Sequence, residues 1–412
     1  MSTLTYLDNN ATTRPDDRVV AALLPLLTEQ WGNPSSAHRF GAQVAARVEE
    51  AREHVATLIG ARASEIVFTG GGTEADNTAV RGVLGARPDR RHVVISAVEH
   101  HAIFELAEAL EHEGVAVTRV GVDEAGRLDV AAVTAALRPD TAVVSVMLAN
   151  NETGVIYPVR EIAAAARARG VPVHTDAVNA LGKMPVDVEE LGVALLSLSG
   201  HKIHGPKGVG ALYVRRGTPL RPCQIGGSQE RQRRGGTLNA PGIVGLGEAC
   251  RILRELNGSH WPRMRTLRDR LEAGIRARVP EALIVGAETE RLPNTTCVCF
   301  PGVISEPVVL LLSEAGVCVS SGAACSSGSI EPSHVLQAMR IPPHVAQGEV
   351  RFSLSRESTE ADVDRAVDLR QAAPHRLAQD PPGVPGERVH EPLVPIISLA
   401  ALYYATLPRL GW

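Results

Sequence analysis

The chain has 412 residues, 44% of them hydrophobic and 21% charged, with 42 basic and 46 acidic side chains for a formal net charge of −4. That balance excludes the electrostatic footprint of a nucleic-acid or anionic-membrane binder, and the length suggests two domains, or one large domain with appendages. MSTLTYLDNN lacks a basic n-region followed by an apolar stretch, and no run is continuously apolar over a transmembrane length, so the expectation is a soluble cytoplasmic protein.

Taken in chain order, Val/Ile-rich runs alternate with Ala/Leu/Glu-rich helical stretches. EIVFT (65–69) precedes a glycine turn and a helix near Thr73, and HVVISAVEH (92–100) runs into the helical AIFELAEALEHEG. TAVVSVML (141–148) leads through ANNETG to the helical VREIAAAARARG, VPVHT (171–175) ends at Asp176, and VALLSLSGHK (193–202) precedes GVGALYVRR. Strand then helix, repeated, predicts a mostly parallel sheet with helices on both faces, and ligands of such sheets gather at the carboxyl ends of the strands. After a helical stretch near 240–280, LPNTTCVCFPGV, GVCVSS and EVRFSLSRESTEADVDRAVDLR have the pattern of a smaller α+β domain. Beyond about residue 373 the prolines of PHRLAQDPPGVPGERVHEP forbid a helix, and the closing LVPIISLAALYYATLPRLGW is apolar but interrupted.

Each predicted strand end carries an ambiguous chemical group. TGGGTEADNTAV is an ordinary tight turn or, at a helix N-terminus, a phosphate cradle. His100 and His101 follow one strand, as capping or functional histidines; Asp176 ends another, as a helix N-cap or an isolated carboxylate. Lys202 ends a fourth with Lys207 nearby, and most lysines are merely solvated. Six cysteines show no CxxC pair, which argues against disulfides or zinc. Cys297 and Cys299 alternate on one face of a strand and are expected as buried packing. In VSSGAACSSGS (319–329), Cys325 stands among small residues suited to a linker or to a loop carrying a reactive thiol.

A phosphate cradle, a ring, a carboxylate and an amine along one sheet edge are the set that pyridoxal 5′-phosphate requires. Here the sequence resembles a family, the cysteine desulfurases, nearly continuously from YLDNNATT (6–13) to RFSLSR (351–356). SGHKIHGPKG (199–208), HTDA (174–177) and SSGAACSSGSIEPSHVL (320–336) are its specific signatures. The last belongs to the class with a long cysteine loop, while TEQWGNPSSAHRFG and LANNETGVIYP are most similar to the nitrogen-fixation type.

The resemblance implies the aspartate-aminotransferase-like α/β fold of pyridoxal-phosphate fold type I. It has a large cofactor domain (15–258) with a seven-stranded type of sheet and a small domain (1–14 and 259–373) bearing the cysteine loop; residues 374–412 form an extension. It implies Lys202 as the amine for the cofactor's aldehyde, Asp176 beside the ring nitrogen, His100 on the ring, and Gly72, Thr73, Ser199 and His201 around the phosphate. Thr237 would reach the phosphate of a partner subunit in a homodimer. Asn151 and Arg351 would hold the substrate carboxylate, and Cys325 would be the nucleophile that takes sulfur from L-cysteine and passes it to an iron–sulfur scaffold or another acceptor protein. Asn179 stands where the family usually has Gln, one methylene shorter on the ring hydroxyl. A selenocysteine lyase-like enzyme, which needs no protein thiol, and a non-catalytic pyridoxal-phosphate-binding protein are the alternatives; the Cys325 loop and the presence of Arg351 speak against them.

Overall fold

Strands apolar on both faces must be covered on both sides, and here helices do so. The computed structural model describes residues 4–322 and 332–368. Its strands in chain order are β1 (Thr5–Tyr6), β2 (Ile66–Thr69), β3 (His92–Ser96), β4 (Ala116–Val120), β5 (Thr141–Ser145) and β6 (Val173–Asp176). They continue with β7 (Leu195–Ser199), β8 (Gly210–Val214), β9 (Leu283–Ile284), β10 (Thr295–Cys299), β11 (Val317–Cys318) and β12 (Glu349–Ser353).

Seven of these form one sheet in the order β2-β8-β7-β6-β5-β3-β4. β8 runs antiparallel to both its neighbours, and the remaining pairings are parallel. Val67, Val93, Ile95, Val143 and Leu195 pack under the helices Gly72–Ala86 and His101–His112. Ile66, Phe68, Val94, Val144 and Leu196 face Arg39–Leu58, Val159–Arg167 and Ala240–Leu256 on the other side.

Several elements are absent from the sequence expectation, among them an edge strand and a long helix of the large sheet's surround. Edge strand β4 is half-buried over four of its five residues and includes Thr118 and Arg119, so no apolar run betrays it. Helix Arg39–Leu58 buries a stripe of small side chains, Val44, Val48, Ala51 and Val55, too modest to stand out. One boundary is also corrected: the strand expected over 193–202 stops at Ser199, and Lys202 sits in the 3₁₀ turn Gly200–Lys202.

A three-stranded antiparallel sheet, β12-β10-β9, and the parallel pair β1–β11 enclose a separate core of Leu7, Leu267, Leu271, Phe300, Phe352 and Val363. A bridge from Asp8 to Ser353 ties the N-terminal segment to β12. Cys297 and Cys299 are fully buried on β10, where the Cys297 thiol donates to Glu349 Oε1 at 3.3 Å.

One turn is held from far away. Glu230, Arg231 and Gln232 lie in the left-handed region at φ 48°, 57° and 63°. Arg52 grips both Glu230 carboxylate oxygens at 2.7 Å, and the Phe68 N–H donates to Glu230 Oε2 at 2.9 Å. The Arg52 guanidinium lies 4.5 Å over the Phe68 ring.

Candidate active site

The predicted groups converge at the carboxyl edge of the large sheet. Helix Gly72–Ala86 begins three residues after β2 with no side-chain cap at Gly71, so its first N–H groups and its dipole face outward. A Cβ on Gly72 would lie 2.8 Å from Val178 Cγ2, so glycine is what allows the bare backbone this close to the segment that follows Asp176. Thr73 is exposed at the helix start. Ser199 is buried at the end of β7, and His201 is half-buried with Nδ1 3.3 Å from Thr12 Oγ1.

Asp176, the last residue of β6, is buried, and its Oδ1 accepts the Val178 N–H at 2.8 Å. Burial pushes its carboxyl up to about 6, against the pull of that N–H and of Lys202. Asp76, one turn into helix Gly72–Ala86, is also buried; one of its oxygens, one of Asp176's and a His100 ring nitrogen all lie within 4.8 Å of one another. Burial, and then the Asp176 charge, raise the Asp76 carboxyl well above the usual range. Beneath them His174 joins Ser145 and Ser197 at 2.9 Å each in a fully buried polar chain.

His100 caps helix His101–His112: its Nδ1 accepts the Ala102 N–H at 3.1 Å, which leaves the ring proton on Nε2. Burial, followed by the Lys202 charge, lowers its pKa to about 4, so the ring is neutral at pH 7.

Lys202 Nζ is held by the backbone carbonyls of Asn10 and, at 3.0 Å, Ala11. Lys207 is exposed in the following turn. Arg351, buried on β12, reaches Asp8 Oδ1 at 3.0 Å and the Asn151 carbonyl at 3.2 Å; its Nε is buried with no partner among the described residues. Asn10 completes the join, donating to the Asn151 carbonyl at 3.0 Å and to Thr295 Oγ1 at 2.9 Å. Asn179 is buried beside Asp176 with its Oδ1 unpartnered.

Uncapped helix N–H groups, an unpartnered Asn179 oxygen, a buried carboxylate and a reachable amine fit pyridoxal 5′-phosphate group by group. Gly72, Thr73, Asn151, Asp176, Asn179, Ser199, His201, Lys202, His100 and Arg351 are thus gathered at one edge. Thr237 is exposed in the segment that follows the Glu230 turn. Cys325 lies outside the described residues, but both flanks of its segment end at the site. Ser320 exchanges backbone hydrogen bonds with Arg351 at 3.2 and 2.7 Å; beyond the segment, Ser333 Oγ donates to Glu152 Oε2 at 2.5 Å and His334 Nε2 meets the Glu99 carbonyl at 2.9 Å.

Asp76, Asn10, Asp8 and Lys183 belong to the same cluster and were not read from the sequence. Asp76 had a usable signal, its position four residues into the helix that begins at Gly72. The others act through partners distant in the chain.

This fold and this edge define a class-V aminotransferase, and the aminotransferase class-V family model matches residues 5–366. A cysteine desulfurase of Cereibacter sphaeroides is 53% identical over 366 residues, which cover 88% of this chain and 94% of that protein. The cysteine desulfurase NifS of Azotobacter vinelandii is 49% identical over 391 residues, covering 93% of this chain and 97% of the relative. Among solved structures, a NifS-like protein superposes with a TM-score of 0.83 at 38% identity, over 89% of this chain and 97% of the other. SspA in complex with cysteine gives 0.76 at 32% identity, over 86% and 100% of the two chains. The chain belongs to the cysteine desulfurases, a family of pyridoxal-phosphate enzymes.

Proposed function

We propose that the protein converts L-cysteine to L-alanine and collects the sulfur as a persulfide on Cys325. The observation that carries this is the meeting of Lys202, Asp176, His100 and Arg351 at one sheet edge, with the described flanks of the Cys325 segment hydrogen-bonded to Arg351 on one side and to Glu152 and the Glu99 carbonyl, beside His100, on the other. Gly72, Thr73, Ser199 and His201 would hold the cofactor's phosphate, Asp176 its ring nitrogen, Asn179 the region of the ring hydroxyl, and Lys202 its aldehyde carbon. When bound, pyridoxal phosphate supplies an electron sink for the substrate's Cα and Cβ.

The chain's own groups do the rest. Arg351 Nε is the donor left over for the substrate carboxylate, and Asn151, whose backbone carbonyl Arg351 reaches at 3.2 Å, stands beside it. Asp176, as the anion, keeps a proton on the ring nitrogen. Lys202 would take the Cα proton of the bound substrate. His100 is neutral and presents Nε2–H, suited to passing a proton between the substrate thiol and the leaving fragment. The Cys325 thiolate attacks the substrate sulfur. An S–S bond forms as the Cβ–S bond breaks, the electron pair stays with carbon, and protons return to Cβ and Cα to give alanine.

The domain division at 15–258 against 1–14 with 259–373 is supported by the core around Leu7, Leu271, Phe300 and Phe352, drawn wholly from the second unit, while Val285, Leu292, Cys297, Leu336 and Met339 of that unit pack onto the large core. A homodimer, with Thr237 completing the partner's phosphate site, is supported by its exposure and by the exposed apolar side chains Trp31 and Ile225. Delivery to an iron–sulfur scaffold or another acceptor, with a nitrogenase-related role, rests on the similarity to NifS. A cytoplasmic site of action completes the reading; among the described residues no helix is long and apolar enough to cross a membrane.

The test is alanine release from L-cysteine by the purified protein, with mass spectrometry after one turnover locating added sulfur on Cys325. Cys325→Ser should keep cofactor uptake and lose sulfur transfer, because a hydroxyl is protonated at neutral pH and is a poor nucleophile toward sulfur. Undiminished turnover by that variant would sink the mechanism. Borohydride labelling should map to Lys202 and not to Lys207.

A further inference from the structure

Thr237 is carried on a segment tied at both ends. Upstream, Arg52 and the Phe68 N–H hold Glu230. Downstream, Asn239 caps helix Ala240–Leu256 by accepting the Gly242 N–H at 3.1 Å, and donates to the Gly208 carbonyl at 3.2 Å. Between these ties stand Gly235 and Gly236, the latter at φ 105°. The Gly235 N–H donates to the Gln224 carbonyl at 2.9 Å, and Gln224 Nε2 donates back to the Gly235 carbonyl at 2.7 Å. The Gly236 N–H donates to Gln229 Oε1 at 3.2 Å. These bonds shape the segment from within.

The link to the cofactor site is Arg234. Its Nε donates to Glu74 Oε1 at 2.9 Å and its Nη2 to Glu74 Oε2 at 3.3 Å, with both side chains partly exposed. Glu74 lies in the first turn of helix Gly72–Ala86, directly after Gly72 and Thr73, and its Oε2 also accepts the Gly70 N–H at 2.7 Å. One carboxylate therefore joins the turn after β2, the uncapped start of the helix and the Thr237 segment. A carboxylate in that turn suits the helix dipole but would repel an incoming phosphate, and the Arg234 charge beside it offsets that repulsion. Thr237 follows three residues later, within about 10 Å of Arg234 along the chain. It is exposed, and its hydroxyl makes no hydrogen bond among the described residues. A partly exposed ion pair contributes little to stability, so what this one chiefly supplies is placement.

We propose that Glu74 and Arg234 are positioning residues that act across the dimer: from the phosphate cradle of its own subunit, the pair holds in place the Thr237 that completes the cradle of the other. This rests on the reading that Thr237 reaches the partner's phosphate in a homodimer. In a two-fold dimer the arrangement is reciprocal, so each cofactor site is completed by a segment rooted beside the other. A pair that merely braced its own helix would act on the site of its own subunit, and that difference is measurable.

The experiment uses full-length heterodimers of differently tagged chains, purified through both tags and stripped of cofactor. One chain always carries Lys202→Ala, so borohydride after addition of pyridoxal 5′-phosphate labels Lys202 of the other chain alone, and labelling is followed against cofactor concentration. With Arg234→Met on the Lys202→Ala chain, the labelled site is completed by the altered segment. Its half-saturating concentration should rise about tenfold, as for loss of one hydrogen bond to a charged group. With Arg234→Met on the chain that keeps Lys202, the labelled site is completed by an intact segment, and the concentration should match that of the heterodimer unchanged at 234. The reverse pattern, equal rises in both heterodimers, or no rise in either would overturn the proposal. Glu74→Gln on the Lys202→Ala chain should reproduce the rise, and Arg234→Lys there, which keeps the charge, should give a smaller one. If the Arg234→Met chain fails to assemble, Glu74→Gln decides by the same two placements. Thr237→Val on the Lys202→Ala chain tests the underlying reading separately: if it leaves the concentration unmoved, or if the two chains never co-purify, Thr237 serves no partner and the proposal falls with that reading.

Discussion

Two buried ionic clusters in this molecule are finished differently. Arg52 and Glu230 meet with both carboxylate oxygens engaged, and the remaining Arg52 donors reach the Ile66 carbonyl at 3.0 Å and Glu49 at 3.1 Å. At the carboxyl edge of the sheet, Asp76 Oδ1, Glu99 Oε2, Asn179 Oδ1 and Arg351 Nε are buried without hydrogen-bond partners among the described residues. An unmade hydrogen bond in the interior costs about 1–3 kcal/mol, so a fold carries several together only where something else completes them. The first cluster holds the chain in place; the second has its valences open for a ligand.

The sharpest way to break that contrast is at Asp176. Asp176→Ala should lower alanine formation on the order of 10³-fold while thermal unfolding of the cofactor-free protein changes little, because the carboxylate costs the fold as much as it contributes. A large loss of melting temperature without cofactor would place Asp176 with the structural cluster instead. Next in size, Arg52→Met should cost about 3–5 kcal/mol in denaturant unfolding by stranding the Glu230 charge, and the double variant with Glu230→Gln should recover much of it. Equal losses in single and double variants would mean that the ion pair is not what holds this region.

A smaller effect separates the clusters by pH. Burial raises the Glu99 carboxyl from an ordinary 4.5 to about 8, although Ser96 Oγ at 2.5 Å and the Met147 N–H at 2.9 Å donate to it. Between those values the folded state binds a proton that the unfolded state has lost, so this group's contribution is present at low pH and is lost as pH rises toward 8. His100 and His174, both lowered by burial, act in the opposite sense below about pH 6.5. Glu99→Gln should therefore raise the melting temperature of the cofactor-free protein at pH 8 and barely change it at pH 5; parallel profiles for variant and wild type would contradict the protonated buried acid. The smallest effect is expected from the region outside both clusters: removing residues 381–412 should leave alanine formation within about twofold. Loss of cofactor binding in that truncated, folded protein would make the tail part of the site.

The strands that build the sheet interior were legible because Val, Ile and Leu fill both faces of β3, β5 and β7. β4 was not, because an edge strand needs only half its side chains to be apolar, and Thr118 and Arg119 read as loop. Lys202, Asp176 and His100 were legible as chemical groups at strand ends and as parts of family signatures. Lys183 and Asn10 were not, since a lysine in LGKMP looks like any solvated lysine until Asn10, 173 residues earlier, is seen to close over it. Residues whose role comes from their own chemistry show in one dimension, whereas those whose role comes from a partner need the third.

The Glu230 turn also bears on the order of events as the chain folds. Three successive non-glycine residues at φ 48°, 57° and 63° are unfavourable by about 1–2 kcal/mol each, and the grip that offsets this comes from Arg52, 178 residues earlier. The conformation of 230–232 therefore has no support until helix Arg39–Leu58 has docked on β2 and the Phe68 amide is in place to donate. During synthesis helix Arg39–Leu58 and β2 emerge before the turn does. The stretch that carries Thr237 is thus expected among the last to lock, with exchange of the Phe68 amide proton as its clock.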